Sequence, residues 1–456
     1  MLDDTIAAIA TPLGEGGLGV IRLSGKEALV MAGRVFSPIG KSSQAPTDAP
    51  SHTIHYGEIL RRGKRVDEVM LAVMRAPRSL TREDVVEISC HGGLLPARLV
   101  LEALLESGAR LAEPGEFTRR AFLNGRIDLT QAEAVADVIH ARTELALSAA
   151  NEQLAGKLSG RINLLRDELV KTLAHVEAHI DFPDEDIAPD TRAQLLARLE
   201  NGVAFMDELL RTADEGRILR RGIRAAIVGR PNAGKSSLLN QLLGQDRAIV
   251  SPIPGTTRDT IEETANIRGL PVIFVDTAGL REAGDEIEAE GVRRSRESLA
   301  RAEMILQVLD ASEPITNFDQ SLLEEFAAKK RIIVVNKTDL PSRLVLPAEL
   351  NLAVVEISCR TGEGIERLKD AIKQIVLGGE IRAEMWQVMI NARHQDALNR
   401  ARSSVRQAII ALQAGQTLEL AALDLRIAMN AVGEIVGKTT TEDLLDSIFS
   451  QFCIGK

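Results

Sequence analysis

One stretch of eight residues limits the possible folds of this chain more than any other feature. Residues 229–236 read Gly-Arg-Pro-Asn-Ala-Gly-Lys-Ser and match the pattern G-x-x-x-x-G-K-[ST]. They follow an apolar run at 224–228 and open a helical pattern at 236–243. The pattern needs this context, because its backbone N–H groups must converge on phosphate beside a helix N-terminus. The sequence therefore predicts a phosphate-binding loop (P-loop) between a strand and a helix.

The segment around this loop alternates apolar runs with helical patterns. Continuous apolar strands between helices are typical of a parallel sheet that helices cover on both faces. We therefore predict an inserted Ras-like α/β G domain over residues 217–378 of a multidomain chain. Its predicted strands are 224–228, 272–275, 304–309, 332–335 and 354–357, and its predicted helices are 236–243, 286–301 and 364–375.

The residues on either side of this domain show other periodicities. Residues 1–118 alternate short apolar runs with glycine-rich turns, which predicts an α+β domain. From residue 119 apolar residues recur every three or four positions, which predicts helices. We expect 119–216 and 379–456 to form one α-helical domain that is split in sequence. The predicted elements are strands 6–10, 19–23, 55–59, 69–74 and 85–89, and helices 94–105, 154–180, 191–212, 392–414 and 421–436.

The P-loop and two later segments supply candidate ligands for phosphate and magnesium. Lys235 would reach the β- and γ-phosphates, and the Ser236 hydroxyl would ligate Mg²⁺. Asp276 follows an apolar strand and would hold the metal through water, while the Gly279 amide would contact the γ-phosphate. Thr257 is the candidate for a second hydroxyl on Mg²⁺. Further nucleotide contacts are expected from Asn232, Ala233, Gly234, Ser237, Ser251, Pro252, Ile253, Pro254, Gly255, Thr256, Thr277 and Ala278.

A third motif predicts which base is bound. Residues 336–339 read Asn-Lys-Thr-Asp, and the Asp339 carboxylate can accept bonds from N1–H and the exocyclic amine of guanine. Adenine offers no donor at that edge, so it would leave the carboxylate unpaired. Asn336 and Lys337 complete this motif, and the next loop, with Ser358, Cys359 and Arg360, should supply a backbone N–H to the guanine carbonyl. The motifs together predict a GTP hydrolase.

Hydrolysis in this domain needs a group other than the usual glutamine. Position 280, after Asp-Thr-Ala-Gly, is a leucine, which cannot orient a water nucleophile. The side-chain oxygen of Asn232 and the carbonyls of 251–256 could hold a monovalent cation that stabilises transition-state charge. Glu288 could act through a chain of waters, or it could be a solvated acid on a charged helix. The catalytic candidates are Asn232, Lys235 and Glu288.

Composition limits the classes of partner and compartment. The formal net charge is −10 and aromatic residues make up 3%, which argues against a globally basic or aromatic nucleic-acid binder. No run of 18 apolar residues exists, and no basic segment precedes the apolar N-terminal stretch, so we expect no membrane contact. Three widely spaced cysteines predict a reducing, cytoplasmic location without disulfides.

Beyond these motifs, the chain resembles the MnmE (TrmE) family of tRNA modification GTPases, within the TrmE-Era-EngA-YihA-Septin-like superfamily. The resemblance covers essentially the whole chain. It depends on the GTPase motifs, on the inserted topology, and on matching segments at 4–12, 113–118, 181–185 and 452–456.

The resemblance implies a reaction and a set of partners. Family members form a homodimer and a heterotetramer with MnmG, which carries FAD. Together they add an aminomethyl or carboxymethylaminomethyl group to carbon 5 of the wobble uridine in tRNA. Their G domains dimerise across potassium (K⁺) during hydrolysis. The matching positions for K⁺ are Asn232, Ser251, Ile253 and Thr256, and Glu288 matches a catalytic glutamate.

The resemblance also implies that the N-terminal domain dimerises and binds a tetrahydrofolate derivative, 5-formyl- or methylene-tetrahydrofolate. Arg22, Glu87, Arg126 and Lys456 match folate-contacting positions. Cys453 matches a cysteine proposed to act in the modification, and its alternative interpretation is a small buried hydrophobic residue.

Two alternatives stay open. The chain could instead be a GTPase switch in ribosome assembly, although its acidic balance and split helical domain favour the tRNA function. The basic residues Arg217, Arg220, Arg221 and Arg224 could contact tRNA phosphate, or they could form a solvated junction between helix and G domain.

Overall fold

The computed structural model describes residues 4–40, 44–181, 192–244, 263–275, 299–347, 352–377, 390–414 and 416–455. The chain separates into two units with dense internal contacts. One unit contains Met1–Ala136 and Gly433–Lys456, and the other contains Asp137–Val432. The first unit therefore joins the two ends of the chain.

The first unit contains a sheet of seven described strands in the order β3-β4-β5-β6-β2-β1-β7. Neighbouring strands are antiparallel except β1 and β7, which are parallel. One face packs on α1 and α2 through a core that includes Ile21, Leu23, Leu71 and Leu104. The strands are β1 (Ile6–Ile9), β2 (Leu18–Ser24), β3 (Phe36–Pro38), β4 (Thr53–Arg61), β5 (Lys64–Met74), β6 (Val85–His91) and β7 (Arg110–Leu111), and the helices are α1 (Ala28–Val35), α2 (Leu94–Glu106), α3 (Glu116–Leu123), α4 (Leu129–His140, which extends into the second unit) and α14 (Glu442–Phe449).

All five strands and the helix that the sequence predicted for residues 1–118 are present in this unit. The prediction missed the two short strands β3 and β7 and did not name the helices α1, α3, α4 and α14. These two strands have three and two residues, so neither is long enough to show an alternating pattern.

The second unit contains a six-stranded sheet in the order β13-β12-β11-β8-β10-β9. Its strands are parallel except β9, which is antiparallel to β10. The predicted parallel α/β arrangement is therefore confirmed, with one antiparallel edge strand added. The strands are β8 (Ile223–Val228), β9 (Glu263–Ile267), β10 (Leu270–Val275), β11 (Met304–Asp310), β12 (Lys330–Asn336) and β13 (Ala353–Glu356), and the helices beside them are α9 (Lys235–Leu243), α10 (Asn317–Glu325) and α11 (Ile365–Leu377).

Apolar side chains cover both faces of this sheet, as predicted. Ile227, Leu306 and Val334 lie in a core that α9 and α11 complete on one face. On the opposite face Ala226 and Ile305 pack with residues that include Leu322 of α10. The prediction missed α10, and most of the predicted helix 286–301 lies outside the described residues.

The remaining helices lie on both sides of this sheet in sequence. They are α5 (Glu144–Leu154), α6 (Lys157–Asp181), α7 (Arg192–Arg211), α8 (Ala213–Arg221), α12 (Ala392–Ala414) and α13 (Leu418–Val436). The expected continuous helix over 154–180 is wrong at its start, because Leu154 ends α5 and α6 begins at Lys157. Gly156 lies between them with a φ of +90°, a left-handed conformation that ends a helix.

Helix α8 was not predicted, and it explains the basic cluster at 217–224. Its Ile218 and Leu219 are buried in the core under the sheet. Arg220 donates to Asp137 at 2.7 Å, and Arg217 pairs with Glu303. These ion pairs favour the structural interpretation of the cluster. Among the described residues, every helix is too short or too polar to cross a bilayer.

Candidate nucleotide site

The P-loop backbone adopts conformations that explain its two glycines. Gly234 has a φ of +101°, and a Cβ atom there would lie 2.1 Å from Asn336 Nδ2. A Cβ atom at Gly229 would lie 2.3 Å from the Val308 carbonyl oxygen. Asn232 is also left-handed, with a φ of +63°. The loop therefore reverses tightly between β8 and α9, with no room for side chains at its two glycines.

Lys235 closes this loop. Its Nζ donates to the carbonyl oxygens of Gly229 at 2.9 Å and Arg230 at 2.7 Å. Burial lowers the pKa of the Lys235 ammonium. A phosphate group in the loop would accept hydrogen bonds from the Lys235 ammonium in place of these two carbonyl oxygens. Ser236, the expected Mg²⁺ ligand, follows in the first turn of α9.

The side chain of Asn336 joins three of the predicted segments. Its Nδ2 donates to the Ala233 carbonyl oxygen at 2.9 Å, and its Oδ1 accepts from the Cys359 amide at 3.0 Å. Asn336 is the last residue of β12 and is buried. The structure thus brings the P-loop, the Asn-Lys-Thr-Asp motif and the Ser-Cys-Arg loop together at the carboxyl edge of the sheet.

Two neighbouring side chains hold the carboxylate of Asp339, the residue predicted to contact the base. Its Oδ1 accepts from Ser358 Oγ at 2.8 Å, and Arg360 Nη1 lies 3.7 Å from its Oδ2. A carboxylate oxygen has two lone pairs, so acceptor capacity remains for N1–H and the amine of guanine. We expected a backbone N–H of this loop to donate to the guanine carbonyl, but the Cys359 N–H already donates to Asn336. It would have to be shared or released to reach a guanine carbonyl.

Cys359 is positioned by neighbours on both sides. Gln241 Nε2, on α9, donates to the Cys359 carbonyl oxygen at 2.9 Å. Burial raises the pKa of the Cys359 thiol to about 11. The thiol is therefore protonated at neutral pH, and it is a packing group in this loop rather than a nucleophile.

The sequence analysis missed two aspartates that contact these loops. Asp310 Oδ2 accepts from Lys337 Nζ at 2.6 Å, and Asp319 Oδ2 lies 3.1 Å from Arg230 Nε. Burial by itself would raise the pKa of Asp310, but hydrogen bonds from Lys337 and Ser312 hold that pKa below its ordinary value. Two signals were available: an aspartate directly after an apolar strand, and a capping pattern of threonine followed three residues later by aspartate.

Ser237 follows Ser236 in α9. The predicted residues of the nucleotide site at 251–257, 276–279 and 288 lie outside the described residues, so their roles stay predictions. They are Ser251, Pro252, Ile253, Pro254, Gly255, Thr256, Thr257, Asp276, Thr277, Ala278, Gly279 and Glu288.

A second candidate site lies in the first unit. Arg22 and Glu87 are cross-strand partners on β2 and β6, and Arg22 Nε donates to Glu87 at 2.8 Å. Arg22 Nη1 also donates to the carbonyl oxygen of Gly455 at 3.0 Å. Two predicted folate residues are thus joined to the C-terminal segment, next to Lys456, which lies outside the described residues.

Arg126 and Cys453 differ from these residues in their surroundings. Arg126 Nη1 donates to the Leu80 carbonyl oxygen at 2.8 Å, so its guanidinium is engaged by the backbone. Cys453 is exposed, which makes the alternative of a small buried hydrophobic residue wrong.

Comparisons with known proteins identify the family. The family model described as MnmE helical domain matches residues 129–453, and the one described as GTP-binding protein TrmE N-terminus matches residues 5–126. A tRNA modification GTPase MnmE from Geobacter metallireducens is 50% identical over 459 residues, covering 100% of both chains. This chain belongs to the MnmE family of tRNA modification GTPases. As an MnmE-family member it is a GTPase, and the predicted family and function class are confirmed.

A second MnmE relative and one solved structure complete the comparisons. The MnmE of Geobacillus kaustophilus is 49% identical over 461 residues, covering 99% of each chain. A crystal structure of Era from Aquifex aeolicus bound to GDP.AlF4- is 31% identical. It covers 40% of this MnmE-family chain and 66% of the Era chain, with a TM-score of 0.28.

Proposed function

We propose that this chain is the GTP-hydrolysing component of a complex that modifies the wobble uridine of tRNA at carbon 5. GTP binds with its phosphates in the loop at 229–236 and its base beside Asp339. The observation that carries this assignment is the Asn336 side chain, which bonds to the P-loop at Ala233 and to the base loop at Cys359.

The described residues fit the phosphate half of GTP. The P-loop amides precede α9, and Lys235 contributes a half-buried ammonium that donates to two backbone carbonyl oxygens. Charge-assisted bonds from such a group to phosphate are strong. Ser236 stands at the first turn of the helix, where its hydroxyl would hold Mg²⁺ with Thr257. The metal would neutralise charge on the β- and γ-phosphates.

Guanine selection is assigned to Asp339. Ser358 orients the carboxylate from one side, which leaves acceptors for the two donors on the guanine edge. Adenine would leave the carboxylate unpaired and is rejected at that cost.

Acceleration of hydrolysis is assigned to Asn232, K⁺ and Glu288. The left-handed φ of Asn232 places a polar side chain at the tip of the P-loop. We assign the K⁺ site to Asn232 with Ser251, Ile253 and Thr256, and its occupation to the pairing of G domains in a homodimer. The cation would supply the positive charge that other GTPases obtain from arginine.

The first unit is assigned to a one-carbon donor of the tetrahydrofolate class. Arg22 lies between Ile21 and Leu23, whose side chains face the helices, so Arg22 projects from the opposite face of the sheet. There a guanidinium and a carboxylate stand side by side, which fits the mixed donors and acceptors of a pterin and its glutamate tail. Arg126 and Lys456 complete the proposed set.

The remaining assignments concern partners and compartment. We assign tRNA as the substrate, MnmG with its FAD as the partner in a heterotetramer, and the cytoplasm as the location. The three widely spaced cysteines support this location.

Nucleoside analysis of tRNA tests the proposal. Cells without the gene would receive the natural chain, a Lys235→Ala variant or a Lys64→Ala variant, whose lysine is exposed on β5. We expect the wobble modification to return with the natural chain and with Lys64→Ala, and to stay absent with Lys235→Ala. Unchanged wobble uridines in the deletion strain, together with incomplete ribosomes, would support the ribosome-assembly function instead.

A further inference from the structure

The segment that follows β11 lies between the two halves of the nucleotide site. In the sheet, β11 is flanked by β8 and β12. The P-loop follows β8, and the Asn-Lys-Thr-Asp loop follows β12. The carboxyl ends of parallel strands share one edge, so residues 310–319, from the end of β11 into α10, stand beside both loops. We call residues 310–319 the brace segment.

One end of the brace segment is joined to the base loop. Asp310, the last residue of β11, is paired in register with Asn336 and accepts from Lys337 Nζ at 2.6 Å. Ser312 fixes the other carboxylate oxygen of Asp310 with its amide at 2.9 Å and its hydroxyl at 2.6 Å. The Asp310 side chain is 7% exposed, so the pair is poorly screened by solvent.

The contact at Asp310 has a conformational consequence. Lys337 has a φ of +66°, a region that residues other than glycine rarely adopt. Such a conformation persists only where surrounding contacts impose it. The ion pair with Asp310 is one such contact, and it holds the backbone two residues before Asp339.

The other end of the brace segment is joined to the P-loop. Asp319 has a fully buried side chain, and its Oδ2 lies 3.1 Å from Arg230 Nε. The same oxygen accepts from the Thr316 amide at 3.0 Å and hydroxyl at 2.8 Å, in a capping box that starts α10. The Arg230 carbonyl in turn accepts from Lys235. A rigid helix start is therefore linked through one side chain to the phosphate-binding lysine.

We propose that the brace segment sets the positions of the two nucleotide loops, with Asp319 positioning the phosphate loop and Asp310 positioning the base loop. Asp319 contacts Arg230 and Asp310 contacts Lys337, and through these loop residues both aspartates act as positioning residues. This inference rests on the proposed assignment of the two loops to the two ends of GTP. The ion pair of Asp319 with Arg230 then controls recognition of phosphate, and the ion pair of Asp310 with Lys337 controls recognition of the base.

The test measures two affinity ratios on the full chain by titration with unlabelled nucleotides. The ratio of GDP to GMP affinity reports the β-phosphate contact, and the ratio of GDP to IDP affinity reports recognition of the exocyclic amine. We expect Asp319→Asn to lower the GDP to GMP ratio by about tenfold and to leave the GDP to IDP ratio unchanged. Asp310→Asn should lower the GDP to IDP ratio by about tenfold and leave the GDP to GMP ratio unchanged.

Two controls separate positioning from general stability. Ser321→Ala removes an exposed hydroxyl of α10 that donates to the Phe318 carbonyl oxygen and keeps the ion pair of Asp319 with Arg230, so both ratios should stay near those of the natural chain. Glu313 also pairs with Arg230, but its side chain is 57% exposed. Glu313→Gln should therefore leave both affinity ratios unchanged. If Asp319→Asn does not fold, Arg230→Lys replaces it in the test. This variant keeps the positive charge but lacks the planar guanidinium, so it should also lower the GDP to GMP ratio.

The outcomes are distinct. Equal changes in both ratios for both aspartate variants, or no change in either ratio, would overturn the role of the brace segment. A natural chain that binds GDP, GMP and IDP equally would instead overturn the assignment of the nucleotide site itself.

Discussion

At the scale of single residues, Asn336 links the parts of the nucleotide site. Its amide nitrogen contacts the P-loop and its amide oxygen contacts the loop at Cys359. Because each bond uses a different atom of one planar group, the two loops are fixed relative to each other. The same amide also determines which residue can occupy position 234.

Gly234→Ala is predicted to disable nucleotide binding. The added Cβ would lie 2.1 Å from Asn336 Nδ2, at a backbone φ of +101°. We expect GDP affinity, measured by fluorescence titration, to fall at least about tenfold. Gly63→Ala is the matched control, since Gly63 has a φ of +74° with no atom within 4 Å of the new Cβ. Normal GDP binding by Gly234→Ala would contradict the P-loop geometry.

The cysteines give a prediction that depends on pH. A thiol pKa of about 11 at Cys359 leaves roughly one thiolate per thousand at pH 8. Iodoacetamide should therefore modify the exposed Cys453 well before Cys359. Labelling of Cys359 should accelerate about tenfold per pH unit up to that pKa. Peptide mass spectrometry would measure both sites, and equal rates at pH 8 would contradict the burial of Cys359.

The residues proposed to bind nucleotide could be predicted from sequence, whereas the contacts that position their loops could not. Lys235 and Asp339 belong to motifs whose spacing is fixed by the chemistry of phosphate and guanine. Asp310 pairs with Lys337 and Arg230 pairs with Asp319, and each pair joins residues that lie far apart in sequence. Such pairs become visible only when the order of the strands is known.

At the scale of elements, buried strands were predictable because they are continuous apolar runs. Strand β9 was missed since Glu263–Ile267 mixes polar and apolar residues, as expected of an edge strand that is partly open to solvent. The break between α5 and α6 was missed because apolar spacing continues across it. The periodicity of side chains says nothing about one left-handed residue, Gly156.

Two glycine substitutions at this break should have opposite effects on stability. Gly156→Ala would place a Cβ at a φ of +90° and cost about 1–2 kcal/mol. Gly160→Ala lies within α6 in open space and should stabilise by about 0.5–1 kcal/mol. Denaturant unfolding of both variants would measure these free energies. A stabilising Gly156→Ala would show that α5 and α6 can form one helix, as the sequence pattern suggested.

At the scale of the whole molecule, the proposal places two copies of the chain together during hydrolysis. A K⁺ site that includes Asn232 would make turnover depend on the cation, because Na⁺ is too small for oxygens spaced to hold K⁺. We expect the GTP hydrolysis rate to fall at least about tenfold when Na⁺ replaces K⁺. GDP affinity should stay the same in both salts.

An Asn232→Ala variant provides the matched comparison for this prediction. It should hydrolyse GTP slowly in both salts, since the side-chain oxygen on the cation is lost. Equal rates for the natural chain in K⁺ and Na⁺ would contradict the cation site and leave the guanine site unaffected.

The account depends centrally on guanine recognition by Asp339 beside the P-loop, and base preference tests it most directly. Hydrolysis of GTP, ATP and XTP would be compared for the natural chain and for Asp339→Asn. The natural chain should use GTP and neglect ATP. The variant should hydrolyse GTP poorly and XTP well, because its amide nitrogen is a donor where the carboxylate oxygen was an acceptor. An unchanged preference for GTP in the variant would contradict the account.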